Sequence, residues 1–310
     1  MIPLPSLPPT PAQAYWNQRH LLRGSLDRLV ALEDAVDDPR DLSPNQWAQL
    51  LAFSLEFKPT LILELGRGLG NSTCVFTEAA NRTAAGSCRV LSLCLTDLWE
   101  TRTVPRLRGV VPTEWFAPLQ AEVANILTWD YVSLIRDEDR VFVFWDAHGF
   151  EVAECVLGAI LPMLAGRPHV VAMHDLSDAR YLPPKLDRYE DRRLWAGMTS
   201  MGTGARVRLG HINSEVPQAI SAVDFCSRNR LTLESADHSF HEEIGQDPAR
   251  VEELRAQLGE RHFSLTGHWF WFSLNERPGP YTFPAFTRPD RVDPPQRAIL
   301  RRLLARLVPR

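Results

Sequence analysis

The sequence predicts an α/β protein: a Rossmann-like, mostly parallel sheet with helices on both faces, an N-terminal helical cap and a lid-like insertion. Three observations carry that reading. From Thr60 onward, short apolar runs alternate regularly with helical patterns, the signature of βαβ units. The first apolar run ends in Glu64-Leu65 and passes through Gly66, Gly68 and Gly70 into Asn71-Ser72-Thr73, which reads as strand, glycine turn and helix start. Two later runs end in an acid paired with a histidine, where the strands of a parallel sheet open toward a ligand.

Residues 1–12 are proline-rich and read as an extended arm. Helical patterns follow over about 11–36, with a break near Gly24, and over about 44–56 behind the cap Ser43; with the arm they make a unit spanning 1–59. The core, 60–275, is expected to hold strands near 61–65, 89–95, 118–124, 141–146, 169–174, 230–235 and 268–274. Helices are expected near 71–85, 150–165 and 215–229, with a weaker one near 128–136. The stretch 176–213 is long, charged and broken by Pro183-Pro184, as a lid or binding loop is. The tail, 276–310, ends in an amphipathic helix over 294–310, with Arg297, Arg301, Arg302 and Arg306 opposite Ile299, Leu303 and Leu307.

Composition excludes several classes of function. The formal charge of −4 argues against a phosphate-backbone partner, since nucleic-acid binders carry a basic excess. No apolar run approaches a membrane span, and the N-terminus lacks the basic and apolar regions of a signal peptide. Five cysteines with no C-x-x-C pair are expected as buried thiols of a cytoplasmic protein. With Lys58 and Lys185 the only lysines, the arginine bias is that of GC-rich bacterial coding. Tail and cap offer surfaces suited to a homodimer.

The glycine turn is where chemistry is expected first. Gly66 and Gly68 permit positive φ and close backbone approach, and Gly70 lets the next helix pack on the strand. The helix N-terminus at Asn71 and Ser72 offers amides to an anionic group, and Arg67 adds charge. Glu64 stands in front of the glycines, where its carboxylate is expected to receive ligand hydroxyls or an amine. The second cluster comprises Asp146 and His148 after one strand and His174 and Asp175 after the next. Adjacent parallel strands lie about 4.8 Å apart, so both pairs are expected at the same edge as the glycine turn. The crowded aromatics Trp99, Trp115, Trp129, Tyr131 and Trp145 are expected mainly as core, and His238, His241, Glu242 and Glu243 as a solvated turn.

The run from Leu61 to Thr73 resembles the first motif of class I S-adenosylmethionine (SAM)-dependent methyltransferases. With the strand-end pairs, the chain resembles bacterial small-molecule O-methyltransferases of the cephalosporin-hydroxylase-like and macrolide-sugar methyltransferase group, over 60–175 and more loosely over 215–275. The resemblance implies a seven-stranded sheet whose last strand, near 268–274, is antiparallel. It implies that SAM is held by Glu64, Gly66, Arg67, Gly68, Gly70, Asn71 and Ser72. Asp97 stands for the ribose acid, later in the chain than the family has it, and Asn125 for a polar contact to adenine. Asp146 matches the acid that ends the family's fourth strand, while His174-Asp175 replaces a more usual acidic pair. A divalent metal on Asp146, His174 and Asp175 would therefore be a borderline transition ion before Mg²⁺. A metal-free site with His148 or His174 as base stands beside it. The implied activity is methyl transfer from SAM to an oxygen of a small-molecule acceptor. Two rivals remain: a catalytically silent binding protein of the same fold, and an NAD-dependent oxidoreductase, against which the G-x-G-x-G spacing argues.

Overall fold

The structure, a computed structural model, describes residues 7–39, 41–83, 87–174, 199–200, 206–207 and 212–289. Asp175, most of the lid-like stretch 176–213 and the amphipathic tail 294–310 lie outside the described residues.

Four helices precede the sheet: α1 (Pro11–Asn17), α2 (Arg19–Arg23), α3 (Leu26–Val36) and α4 (Pro44–Phe57). The Thr10 hydroxyl accepts from the Gln13 amide while Gln13 Oε1 accepts from Thr10 N, a reciprocal cap that starts α1. The expected break at Gly24 is present, and Gln18 adds another that separates α1 from α2. The last of these helices, α4, is no appendage. Phe53 meets Phe142, Trp269 and Trp271 edge-on or tilted at 5.3–6.1 Å, so α4 forms part of one layer on the sheet.

The strands are β1 (Leu61–Leu65), β2 (Arg89–Cys94), β3 (Leu119–Val123), β4 (Val141–Trp145) and β5 (His169–His174), then β6 (Thr199–Ser200), β7 (Arg206–Val207), β8 (Glu234–Ser235) and β9 (Trp269–Phe272). β6 and β7 form a separate antiparallel pair; the other seven make one sheet in the order β3-β2-β1-β4-β5-β9-β8. β1 runs parallel to β2 and β4, β2 to β3, and β4 to β5, while β9 is antiparallel to both β5 and β8. The chain thus has the expected Rossmann-like sheet with an antiparallel strand formed late in the sequence.

Strands β1, β4 and β5 are buried on both faces, which is why they read as continuous apolar runs and not as alternating ones. Ile62, Phe142, Phe144, Val170 and Ala172 join α4 and α5 (Asn71–Arg82) in one cluster. Leu61, Leu63, Val141, Val143, Trp145 and Val171 face the other layer. That second layer contains α8 (Phe150–Cys155), a π turn leading into α9 (Leu161–Leu164), and α10 (Ile212–Asn229). Single turns α6 (Val104–Leu107) and α7 (Tyr131–Leu134) follow β2 and β3.

Several boundaries differ from the sequence reading. The strand expected over 230–235 shrinks to Glu234–Ser235, and Arg230, at a left-handed φ of 54°, cannot be its first residue. His268, with φ 57°, likewise delays the start of β9 to Trp269. His238, His241, Glu242 and Glu243, expected on a solvated turn, lie instead on helix: α11 (Ala236–Phe240) continues into a π turn, burying Ala236, Phe240 and Ile244 and leaving His238, His241 and Glu242 exposed. A further helix, α12 (Pro248–His262), follows; its Asp247 cap and proline at the first position announce it, but its apolar face is narrow. None of the five cysteines is in a disulfide, and four are buried. Among the described residues, no helix is long and apolar enough to cross a membrane.

Candidate functional site

Strand order reverses between β1 and β4: from β1 the chain builds outward to β2 and β3, then returns to place β4 on the other side. A crevice at the carboxyl ends of the strands on either side of such a switch point is where open α/β sheets take their ligands. The glycine turn after β1 and residues 146–149 after β4 flank it here. Gly66, at φ 99°, fits there because it has no side chain: a Cβ would come within 2.7 Å of the Asp146 carbonyl oxygen. Gly68 differs. It also has positive φ, 53°, but a Cβ placed on it meets nothing within 4 Å. The middle of the turn therefore borders open space.

Glu64 faces inward. It is fully buried, and its two oxygens accept from the Ser72 hydroxyl and, at 2.6 Å, from the Thr73 hydroxyl. As placed, Glu64 ties β1 to the first turn of α5. Burial pushes its carboxyl above the usual carboxylate value, with the hydroxyl contacts and the Arg67 charge offsetting part of the effect. Arg67 is also buried; its guanidinium donates to the Ser92 carbonyl at 2.8 Å, to the Glu122 carbonyl at 3.3 Å and to Glu100 Oε1 at 3.1 Å. It thereby spans the ends of β2 and β3, and its Nε makes no hydrogen bond. Asn71 turns toward the cap, donating to Asp41 Oδ2 at 2.8 Å and to the Asp38 carbonyl. Asp97 accepts the Thr101 amide on its carbonyl, and Asn125 Oδ1 caps the turn after β3 through the Leu127 amide at 2.8 Å.

At the β4 and β5 ends, hydrogen-bond directions can be assigned from backbone groups, which have fixed roles as donor or acceptor. His174 is fully buried, its ring stacked on Phe144 with centroids 6.3 Å apart. Its Nδ1 lies 3.1 Å from Asp146 Oδ1, and its Nε2 lies 3.2 Å from Gln46 Nε2. His148 Nδ1 lies 2.9 Å from Gln218 Oε1, and Gln218 Nε2 donates to the Trp145 carbonyl at 3.3 Å. That carbonyl can only accept, so the Gln218 oxygen faces His148. His148 therefore donates from Nδ1.

The structure therefore brings Gly66, Gly68, Asp146, His148 and His174 to one edge, with Glu64 and Ser72 beneath the turn and Asp97 and Asn125 on the β2–β3 side. Four residues there escaped the sequence reading: Asp41, Gln46, Gln218 and Glu100. Asp41, Asp146 and His174 each place one ligand atom within 4.8 Å of the others, a spacing that a cation could bridge. Two oxygens and an imidazole suit a borderline transition ion. Gln46 and Gln218 belong to no motif, since a neutral amide has no spacing rule. Asp41 gave a faint signal in its position just before the Ser43 cap.

No protein-family model and no curated protein sequence matches the chain. Solved structures do resemble it at a distance. They include the O-methyltransferase from Bacillus cereus in complex with SAH (S-adenosylhomocysteine), at 15% identity over 68% of this chain and 83% of that one, TM-score 0.43. SAH-bound methyltransferase PaMTH1 from Podospora anserina is 13% identical over 74% of this chain and 94% of its own, TM-score 0.45. Cofactor-bound Rv0187 from MTB is 20% identical over 58% and 79%, TM-score 0.37. Likenesses this distant carry no functional argument. The strand order and the antiparallel β9 by themselves give the chain a Rossmann-like α/β fold.

Proposed function

We propose that this protein transfers a methyl group from SAM to an oxygen of a small molecule. The observation that carries the reading is the open space at Gly68, on the glycine turn set at the switch point of the sheet. An NAD-dependent reading is less well supported, because the dinucleotide fold continues past its fifth strand with a further parallel strand, and here antiparallel β9 takes that place. When bound, SAM supplies an electrophilic methyl group. Gly66, Gly68 and the first turn of α5 would hold the cofactor from below, with Arg67 and Glu100 at the β2 edge.

The chain's own contribution is alignment and proton handling. His148 Nε2 is the proton-accepting atom in this reading, and Gln218 keeps the imidazole in the form that leaves its lone pair there. Asp146, backed by His174, supplies negative charge beside it. A second reading, favoured by the convergence of Asp41, Asp146 and His174, has a divalent cation acidifying the acceptor hydroxyl in place of a histidine base.

Calorimetric titration with S-adenosylhomocysteine tests the cofactor. Micromolar binding is expected for the native chain. It should be lost in Gly68→Leu, whose Cβ meets no protein atom within 4 Å and whose side chain would extend into the open space at the turn. Native protein that binds neither this ligand nor SAM overturns the reading. His148→Asn should retain binding and lose 10²–10⁴-fold in SAM turnover against a panel of hydroxylated small molecules, on the order expected for a general base.

A further inference from the structure

We propose that Gln46 is a positioning residue that fixes which ring nitrogen of His174 carries the hydrogen, making His174 a one-way donor to Asp146 and closing it to metal ligation. The argument starts from two backbone groups. Ser43 N donates to Gln46 Oε1 at 2.8 Å, and Gln46 Nε2 donates to the Gly267 carbonyl at 2.5 Å. An amide nitrogen of the backbone can only donate and a carbonyl oxygen can only accept, so the Gln46 amide has a single orientation. The Ser43 hydroxyl adds a second donor to Oε1, at 2.9 Å.

Both anchors are themselves held. Ser43 is the cap of α4, and the strand-side loop around Gly267 is pinned by Asp237 Oδ1, which accepts from Gly267 N and, at 2.9 Å, from His268 N. Asn45 and Gln49 of α4 also donate to the Thr266 carbonyl. Gln46 is fully buried, which leaves its amide no solvent to turn into.

With the amide so oriented, the group 3.2 Å from His174 Nε2 is an N–H donor. Nε2 must then accept, and the ring hydrogen sits on Nδ1, 3.1 Å from Asp146 Oδ1. The hydrogen bonds run in one direction, from Gln46 to His174 to Asp146. A metal-ligating histidine has the opposite arrangement: one nitrogen binds the ion while the other donates its hydrogen to an oxygen acceptor. For His174 to ligate through Nδ1, which faces Asp146, Nε2–H would have to point at the Gln46 N–H. The spacing of Asp41, Asp146 and His174 admits a cation; the donor pattern behind His174 does not. His174 is then neither ligand nor base, and its role is to hold and polarise the Asp146 carboxylate. This inference concerns the site of the proposed methyl transfer but does not depend on which group is transferred.

Long-range ¹H–¹⁵N spectra of the ¹⁵N-labelled full chain test it without any cofactor, with the His174 signals identified by their loss in His174→Gln. The expected native pattern is a protonated Nδ1 and an unprotonated Nε2, unchanged on adding Zn²⁺. The reverse tautomer, or a Zn²⁺-induced shift at Nδ1, overturns the proposal. Gln46→Glu replaces the donor with an acceptor and should move the hydrogen to Nε2; an unmoved hydrogen in a folded variant also overturns the assignment to Gln46. The native spectrum decides the tautomer even if that variant does not fold. Since no SAM enters the measurement, its failure is distinct from failure of the methyltransferase reading.

Discussion

Lowering the pH should destabilise this protein through a single imidazole far from the crevice. His169 opens β5, at the opposite end from His174, and is fully buried. Its Nδ1 lies 2.8 Å from the Arg167 carbonyl, and its Nε2 accepts from the Leu274 amide at 3.0 Å. Ser273 and Asn275 complete the clamp: the Ser273 hydroxyl donates to the His169 carbonyl and Asn275 Oδ1 accepts from His169 N. This clamp joins the start of β5 to the residues that follow β9. With Nε2 accepting a backbone N–H, the ring is neutral in the fold. Burial pushes its pKa from 6.5 down to about 4, against a smaller opposing effect of the Arg167 carbonyl.

The sign follows from proton counts. Between 6.5 and about 4 the unfolded chain takes up a proton at this residue and the folded chain does not. The stabilisation is therefore present in full above 6.5 and is lost as pH falls toward 4. At about 1.36 kcal/mol per pH unit, that interval is worth about 3 kcal/mol, a large share of the ~5–15 kcal/mol that holds a domain together. Denaturant unfolding followed by tryptophan fluorescence, from pH 8 to 4, measures it in the native chain and in His169→Gln. The variant should be less stable at pH 8, having lost part of the clamp. The difference between the two proteins should then shift by about 3 kcal/mol in the variant's favour as pH reaches 4. A difference that stays constant over this range refutes the reasoning.

Glu64 should act in the opposite direction. Its folded pKa is raised, so its contribution is fully present below the usual carboxylate value and is lost as pH rises through the range above 4.5. Glu64→Gln should remove that slope while keeping an oxygen for Ser72 or Thr73, and parallel pH titrations of stability read it directly. The two glycines of the turn should separate cleanly. Gly66→Ala combines positive φ with a Cβ 2.7 Å from the Asp146 carbonyl and should cost roughly 2–4 kcal/mol. Gly68→Ala, with nothing within 4 Å, should cost about 1 kcal/mol from φ alone, and thermal unfolding of both distinguishes contact from strain.

The parts of this fold legible in sequence are those where one residue type has one physical use. Strands β1, β4 and β5 are buried on both faces, so nothing but apolar residues serves within them, and their runs stand out. The turn at Gly66 tolerates no Cβ, and that glycine is visible as such. Asp146, His148 and His174 were legible because charged or titratable groups at the ends of apolar strands need a reason to be there. Direction was not legible. Glu64 was expected to address a ligand, yet it accepts two hydroxyls from α5; which way a strand-end acid turns depends on partners that the helix supplies. Gln46 and Gln218 were invisible for a related reason. Each acts through the orientation of an amide, which is set by backbone groups distant in sequence, Gly267 and Trp145. The helix α12 was missed because only Leu254, Leu258 and His262 are buried along it, too few to mark a period.

The helices before the sheet were treated in sequence as a cap, a unit with a boundary at residue 59. α4 makes that boundary unusable as a cut. It supplies Phe53 to the core and Gln46 to the ring of His174, while Asp41 just ahead of it meets Asn71 at the start of α5. A shortened version beginning at β1 would lose one wall of its interior and, with it, the partner that orients a strand-end histidine. Chimeras made by exchanging the first sixty residues between related chains should for the same reason alter the chemistry at the crevice as well as solubility. A substitution near Gln46 is best judged alongside whatever stands at 146, 174 and 267.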